Sequence, residues 1–367
     1  MKINITKENF LEGLQIIQTS VASKTTVPIL FNFLMEAKDG LIKLTRTDMD
    51  IATIYTLKAE VIEEGEITVP LKELSDILKN LSSDKEINLE TDVDNKLHIK
   101  SGKAKFWVIG TPKSEYPIVP EMKKENTFKI KAKELKNIIE NTIFSTSTQE
   151  TRYVLNGLLW NNTADKFEVV ATDGKRLALY TTKPITSVAP FKIIIPSKVL
   201  FEIVRLLGIV KPSDDDLISI STSSNQIGFE IKDIILTSRL IEGSFPNYEQ
   251  VIPTKLNYVF NTDTKELLSS TKRAALYTSD LGGTVKYSLK ENLLSIKASS
   301  SKMDFSDELK IDYKLDEFVT CFNPQYLIDI LKIIDTEQVK FSFTNSTQPV
   351  LIEGNNNYKY IIMPIRS

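Results

Sequence analysis

Histidine is almost missing from this 367-residue chain, where His98 stands alone. That single count excludes a multi-histidine metal centre and makes any Ser-His-Asp triad depend on His98. His98 lies in Lys96-Leu97-His98-Ile99-Lys100, where alternation sets it on the polar face of a strand as a solvated residue. Cysteine is equally scarce. Cys321 alone cannot build an intramolecular disulfide framework, and such usage suits a reducing, cytoplasmic setting. It sits in the apolar stretch Phe318-Val319-Thr320-Cys321-Phe322 and reads as core rather than as a reactive thiol. No apolar run approaches the length needed to cross a bilayer. Met1-Lys2-Ile3-Asn4-Ile5 alternates like a strand and lacks the apolar centre of a signal peptide. Neither a GxxxxGKS/T phosphate loop nor a GxGxxG fingerprint occurs. A net charge of −2 argues against a generally basic coat for nucleic acid, but it leaves room for a local basic surface.

What is present is repetition. Val69–Lys79 returns as Ile195–Arg205 and again as Asn323–Lys332, at a spacing of about 126 residues. That period is too long for a solenoid and fits a whole domain. A second piece keeps the same register. Leu44-Thr45-Arg46-Thr47-Asp48-Met49-Asp50 matches Val170-Ala171-Thr172-Asp173-Gly174-Lys175, and the third copy has Lys297-Ala298-Ser299-Ser300 there, without the Thr-Asp pair.

Each third follows one order. A short strand (Ile3–Ile5, Phe128–Ile130, Tyr258–Phe260) leads into an amphipathic helix. Phe10, Leu11, Leu14 and Ile17 share one helical face, as do Leu135, Ile138, Ile139 and Ile143. The third copy, Lys265-Glu266-Leu267-Leu268, is more degenerate. Short strands follow, then a proline-led helix whose proline suits the first turn, then more strands. Asp39-Gly40, Asn161-Asn162 and Asn355-Asn356-Asn357 mark turns. The expected fold class is α+β: three pseudo-repeated domains, each with two helices against antiparallel sheets. Domain boundaries are expected near Glu121–Asn126 and Val251–Leu256, giving domains 1–123, 124–252 and 253–367.

The proline-led helices carry a basic face. Lys72 and Lys79 are seven apart and share a side; their equivalents are Lys198 and Arg205, then Gln325 and Lys332. Glu73, Asp76, Glu202 and Asp329 flank them. These are either three ordinary solvated faces or one common surface that pseudo-symmetry turns toward a polyanion, with contacts to phosphates and no base reading.

At this point the residues carry a resemblance. Ala171-Thr172-Asp173-Gly174-Lys175-Arg176-Leu177-Ala178-Leu179 resembles the signature of the bacterial DNA polymerase III beta subunit, the sliding-clamp family. Arg152–Gly157, Gly243–Tyr248, Thr26–Leu30 and Met363–Arg366 are similar to it too, in order and across essentially the whole chain. The resemblance implies a non-catalytic processivity factor. It would be a head-to-tail homodimer closed into a six-domain ring, with twelve helices lining the hole. Helix axes roughly 10 Å apart give a circle of about 38 Å through the axes, or on the order of 28 Å inside the helices. Duplex DNA and a water layer fit such a hole. No cofactor and no metal are expected, and the setting is cytoplasmic.

Carried over residue by residue, the resemblance implies DNA contacts at Lys24, Lys72, Gln149, Arg152 and Tyr153, with Lys79, Lys198 and Arg205 in the lining. Gln149 and Tyr153 also read as ordinary loop residues. Val154 stands where the family often has a second aromatic. A partner groove between copies two and three would use Leu155, Thr172, Gly174, Lys175, Arg176, Leu177 and Pro246. It would also use Val251, Val350, Ile361, Met363, Pro364, Ile365 and Arg366. In the family it takes Gln-Leu-x-Leu-Phe-like tails of the polymerase, the clamp loader and repair proteins. Without the family, Ile361 and Met363 read as core strand residues. Gln250 stands where members often carry arginine, and the chain ends in Ser367. The dimer seam would use Phe106, Val108, Leu276 and Tyr277, which otherwise read as internal core; Phe106-Trp107-Val108-Ile109 as an apolar edge strand would be covered by pairing across the dimer.

Two other readings compete. An enzyme would handle phosphate with Asp173, Lys175 and Arg176; the single histidine, the missing nucleotide loops and the unaccompanied Thr47-Asp48 pair oppose it. A DNA-binding module would grip short linear duplexes tightly, whereas a clamp binds linear DNA weakly and loses it steeply with salt.

Overall fold

A computed structural model describes residues 1–18, 26–81, 86–278, 283–300, 303–354 and 356–365, with the side chain of Glu150 left out. The first repeat runs β1 (Lys2–Thr6), α1 (Lys7–Ile17), β2 (Asn32–Lys38), β3 (Leu41–Thr47), β4 (Ile51–Lys58), β5 (Glu60–Glu63), β6 (Gly65–Pro70), α2 (Leu71–Lys79), β7 (Glu86–Thr91), β8 (Lys96–Ser101) and β9 (Ala104–Ile109). The second runs β10 (Asn126–Lys131), α3 (Ala132–Glu140), β11 (Gly157–Asn162), β12 (Phe167–Thr172), β13 (Arg176–Thr182), β14 (Phe191–Pro196), α4 (Ser197–Val210), β15 (Leu217–Thr222), β16 (Gln226–Ile231) and β17 (Ile234–Arg239). The third runs β18 (Tyr258–Asp263), α5 (Thr264–Ala275), β19 (Val285–Lys290), β20 (Leu293–Ser299), β21 (Asp304–Lys310), β22 (Phe318–Phe322), α6 (Pro324–Ile333), β23 (Gln338–Phe343), β24 (Val350–Glu353) and β25 (Tyr358–Ile362). One order of elements recurs three times, with β5 as the single addition.

The chain forms two compact units, 1–136 with 198–240 and 137–197 with 241–367. In the first unit, a five-stranded sheet has the order β5-β1-β7-β8-β9, and an eight-stranded sheet the order β10-β15-β16-β17-β4-β3-β2-β6. In the second, an eight-stranded sheet runs β14-β11-β12-β13-β25-β24-β23-β18, beside a four-stranded sheet β21-β20-β19-β22. Sequence repeats and compact units therefore differ. Repeat two gives half its strands to each unit, because β17 pairs antiparallel with β4 of repeat one and β13 with β25 of repeat three. An unpaired strand edge exposes a row of N–H and C=O groups, and these junctions satisfy them.

Local chemistry explains the elements. Thr6 caps α1 by accepting from the Asn9 amide at 3.3 Å, and Phe10, Leu14 and Ile17 turn inward. On α2, Leu71, Leu74 and Leu78 are buried while Lys72 and Lys79 face outward. Each fully buried leucine contributes about 1.5–3 kcal/mol. Pro324 occupies the first turn of α6, capped by Asn323, whose Oδ1 accepts from the Gln325 amide at 2.9 Å. Pro70 and Pro196 differ from the expectation. They end β6 and β14, opposite Asn32 and Gly157, on edge strands where a missing N–H costs no ladder bond.

Two helices depart from the sequence pattern. Helix α3 stops at Glu140, and Ile143 lies in a separate single turn, Ile143–Ser145. The Thr142 hydroxyl donates to the Ile138 carbonyl at 2.6 Å, which competes with helix continuation. In the third copy the weak pattern hides a twelve-residue helix, α5. Its buried face includes Ser270, Thr271 and Ala274, small residues without hydrophobic periodicity. The missed signal was Asp263, whose carboxylate accepts from the Glu266 amide at 2.8 Å.

Cys321 is buried in β22, and burial raises its thiol above the usual range. His98 is exposed on β8 and meets Asp92 at 2.8 Å. Among the described residues no helix is long and apolar enough to cross a membrane.

Candidate peptide groove and nucleic-acid interface

In the second unit the β12–β13 turn is built by two side chains. The Thr172 hydroxyl donates to the Arg176 carbonyl at 2.6 Å and accepts from the Gly174 amide at 3.1 Å. Asp173 Oδ1 accepts from the amides of Lys175 and Arg176 at 2.8 and 3.0 Å. Gly174 sits at φ 86°, where glycine carries no steric cost. Asp173 is thus a turn residue, which removes it from the phosphate-handling role in the enzyme reading.

Arg176 is held on every side. Its Nε meets Asp173 at 3.1 Å and its Nη1 meets Asp329 at 2.6 Å. Its guanidinium lies 5.4 Å from the Phe144 ring centre and 4.6 Å from that of Tyr326. Arg176 therefore braces the turn and spends its charge within the unit. Lys175 beside it is exposed.

Beyond the turn, Leu155, Leu177 and Ile361 join one buried cluster with Phe245, Tyr248 and Leu351. Leu177 pairs with Ile361 across β13–β25, and the Met363 amide continues the ladder to the Lys175 carbonyl at 2.9 Å. The Ile365 amide donates to the Cys321 carbonyl at 2.8 Å. Pro246, Val251, Met363 and Ile365 remain exposed, with Pro364 half-buried. Val350 does not join them. It is fully buried with Ile362 in the core on the opposite face of the sheet, because side chains alternate along β24. Leu351 takes the position facing the cluster. Leu351, Phe245 and Tyr248 were missed from the sequence; Tyr248 donates to the buried Glu168 carboxylate at 2.7 Å. The result is an apolar floor with an exposed apolar rim, and Lys175 without an ion-pair partner among the described residues. Arg366 lies outside the described residues.

The basic residues fall into two kinds. In the first unit, Lys72 and Lys79 are exposed on α2 and have no ion-pair partner among the described residues. Lys198 is ion-paired with Asp48. Arg205 donates to Glu202 through Nε at 2.9 and 3.0 Å, and to the carbonyls of Gln15 and Ile16 at 2.9 and 2.7 Å. Its guanidinium closes the C-terminus of α1 rather than projecting into solvent. In the second unit, Gln149, Arg152 and Tyr153 are exposed around the short turn Glu150–Leu155. Arg152 makes one long bond, 3.4 Å, to the Asp173 carbonyl. Lys332 on α6 is exposed, and Gln325 donates to Asp329 at 2.6 Å. Lys24 lies outside the described residues.

The seam candidates lie at sheet edges. Strand β9 is the last strand of its sheet and exposes Phe106, Trp107 and Ile109, while Val108 is buried in the core behind it. In the second unit β21 is the edge, Leu276 is 75% exposed, and Tyr277 packs on Phe305 with ring centres 5.5 Å apart. Trp107 and Ile109 belong to the apolar edge strand that the sequence reading expected at Phe106–Ile109.

Comparison with known proteins covers the whole chain. Family models for the N-terminal, central and C-terminal domains of the DNA polymerase III beta subunit match residues 1–120, 129–247 and 249–366. The beta sliding clamps of Haemophilus influenzae and Escherichia coli are each 30% identical over 370 residues, with all of both chains covered. Among solved structures, the DNA polymerase III subunit beta of Pseudomonas aeruginosa superposes with a TM-score of 0.93 at 30% identity, covering all of both chains. The sliding clamp of Bacillus subtilis does so with a TM-score of 0.94 at 29% identity, covering 100% of this chain and 99% of that one.

Proposed function

Because the chain belongs to the DNA polymerase III beta subunit family, we propose that it acts as a non-catalytic DNA sliding clamp in the cytoplasm. It encircles duplex DNA without reading sequence and tethers the replicative polymerase, the clamp loader and repair proteins through a peptide groove. Three clamp domains, 1–123, 124–252 and 253–367, supply the ring's units.

The observation that carries the ring is the arithmetic of the sheets. Two junctions within the chain each add four strands of one repeat to four of the next, through β4–β17 and β13–β25. One strand of each kind is left over, β21 and β9, each at a sheet edge. A second copy in head-to-tail order pairs them and repeats the junction twice more. The register follows. Ala52 pairs with Thr237 at the first junction and Leu177 with Ile361 at the second. The ladders β7–β8–β9 and β15–β16–β17 align Trp107 with Thr237. With Pro70 and Pro324 as common origin, the ladders β2–β3–β4 and β19–β20–β21 align Ala52 with Met303. Trp107 then faces the partner subunit's Met303, and Phe106 the partner subunit's Asp304, in an antiparallel ladder. Leu276 and Tyr277 close the seam beside it.

For the groove, Leu155, Leu177 and Ile361 serve as floor and Pro246, Val251, Met363, Pro364 and Ile365 as rim. Thr172, Gly174 and Arg176 hold the turn, and Lys175 offers the charge. Apolar rim residues with adaptable methionine suit short apolar tails. A fluorescent Gln-Leu-x-Leu-Phe peptide should bind saturably and weaken at least tenfold with Met363→Asp, as a buried apolar contact would. The thermal melt should stay unchanged, since Met363 is exposed. Absence of saturable binding to the wild type would overturn the groove.

For DNA, the exposed Lys72 and Lys79 are the clearest phosphate contacts in the lining, with Gln149, Arg152 and Tyr153 near the turn. Lys72→Ala with Lys79→Ala should shorten retention on loaded circular DNA severalfold, with a shallower salt dependence. Equal half-lives across a salt series would remove these two lysines from the lining.

A further inference from the structure

The first sheet junction carries a copy of the turn that shapes the groove at the second. The Thr47 hydroxyl donates to the Ile51 carbonyl at 2.8 Å and accepts from the Met49 amide at 2.9 Å. Asp48 Oδ1 accepts from the amides of Asp50 and Ile51 at 3.1 and 2.8 Å. These are the bonds made by Thr172 and Asp173, one repeat earlier. The residue at the left-handed position is different. Met49 stands at φ 79°, where Gly174 stands at 86°. A residue with a side chain pays a steric penalty there, and such strained positions concentrate at binding sites. The Met49 side chain is 56% exposed, so no internal packing explains it.

Met49 borders a cavity of about 230 Å³. It is lined by the junction itself, where Ala52 pairs with Thr237, and by the strap Pro117–Pro120, a segment without regular secondary structure. Ile118 in that strap is 93% exposed. Arg239 also lines the cavity, two residues beyond Thr237, at the place Met363 takes beyond Ile361 in the second junction. Only the Arg239 backbone is engaged, its amide donating to the Asp50 carbonyl at 3.1 Å. Arg239 is exposed, and its guanidinium has no partner among the described residues. Lys175 of the second turn is replaced here by Asp50, also exposed. The same scaffold has therefore exchanged its charges: an arginine stands on the strand side and an acid on the turn side.

We propose that this cavity is a second docking site for an extended partner peptide, one that places a bulky apolar side chain beside a carboxylate. The apolar group enters between Met49 and the strap, and the carboxylate pairs with Arg239. Asp50 selects against peptides carrying a second acid near the turn. The analogy to a groove rests on the peptide-groove reading of the second junction; the cavity, the exposed Met49 and the unpaired arginine stand without it.

The test uses the full-length protein and the peptide acetyl-Leu-Phe-Asp-Leu-amide carrying a benzophenone and a fluorophore. Cross-links should map to Met49 and the 117–120 strap, and should persist in excess unlabelled Gln-Leu-x-Leu-Phe peptide. Replacing the peptide aspartate by asparagine, or Arg239→Ala, should each weaken binding about fivefold. Asp50→Asn should tighten it. Met49→Gly should weaken binding about tenfold while leaving the melting temperature equal or higher, because glycine relieves the backbone. Cross-links that are displaced by the Gln-Leu-x-Leu-Phe peptide, or binding indifferent to both Arg239→Ala and Met49→Gly, overturn the proposal. Failure of the Gln-Leu-x-Leu-Phe peptide to bind at all is a separate result, which counts against the groove at the second junction alone.

Discussion

Phe106→Asp combined with Leu276→Asp should turn the protein from dimer into monomer, read by light scattering as a fall to the 41.5 kDa chain mass at micromolar concentration. Strand β9 presents Phe106, Trp107 and Ile109 at 39%, 57% and 59% exposure on an unpaired edge. An apolar edge of this kind aggregates unless it is paired. Burying one large apolar side chain is worth about 1.5–3 kcal/mol, and a buried unpaired carboxylate adds a penalty of several kcal/mol. A two-fold ring contains two seams, so each substitution acts twice. Dimer affinity should drop by at least about a thousandfold. Since Leu276 is exposed and Phe106 partly so in the single chain, the monomers should melt close to the wild-type temperature. An unaltered mass would refute the seam. The register has its own test. Trp107→Cys with Met303→Cys should form an intermolecular disulfide under mild oxidation, and buried Cys321 should not interfere. Cross-linking only with cysteines shifted by two residues would reject the derived register.

Arg205→Ala should destabilise the first unit by about 3 kcal/mol, whereas Lys72→Ala and Lys79→Ala should each stay within about 0.5 kcal/mol. Glu202 is only 2% exposed and receives the Arg205 guanidinium. Removing the arginine strands a buried carboxylate, a loss of about 3–5 kcal/mol in general. Buried Arg46 lies near enough to Glu202 to offset part of it, which places the value at the low end. The Ile16 carbonyl loses the Arg205 donor as well, and the Gln15 carbonyl keeps the Gln18 amide at 3.3 Å. The expected shift in calorimetry is a fall of roughly 6–12 °C in the transition of that unit. Any loss of DNA retention in Arg205→Ala would then follow altered packing, while loss in the two lysine variants would report the lining. An Arg205→Ala protein that melts like the wild type would return Arg205 to the lining.

Much of the candidate site was legible because its chemistry is local. The Thr-Asp turn at Thr172 and Thr47 closes within five residues, so a short repeated string announces it. Lysines seven apart on α2 share a face because helical geometry demands it. What escaped was decided by distant partners. Arg176 reads as a rim cation, yet Asp329, 153 residues away in the chain, holds it in place. Arg205 reads as a lining residue, yet its donors go to carbonyls 190 and 189 residues away. Val350 and Leu351 are equally apolar, and only strand pairing says which one faces the cluster of Leu155, Leu177 and Ile361.

By itself, the sequence determined the threefold repetition, the class of most elements, the family and the turn that both junctions share, since these depend on periodicity and on hydrogen bonds between near neighbours. Tertiary structure alone decided that repeat two divides its strands between two units, and which edges remain unpaired. It also decided which arginines are spent inside the protein, and that one junction carries a strained methionine where the other carries glycine. The physical reason is the same in each case. Strand edges and guanidinium groups are satisfied by whatever the fold brings near, and separation along the chain places no limit on that choice.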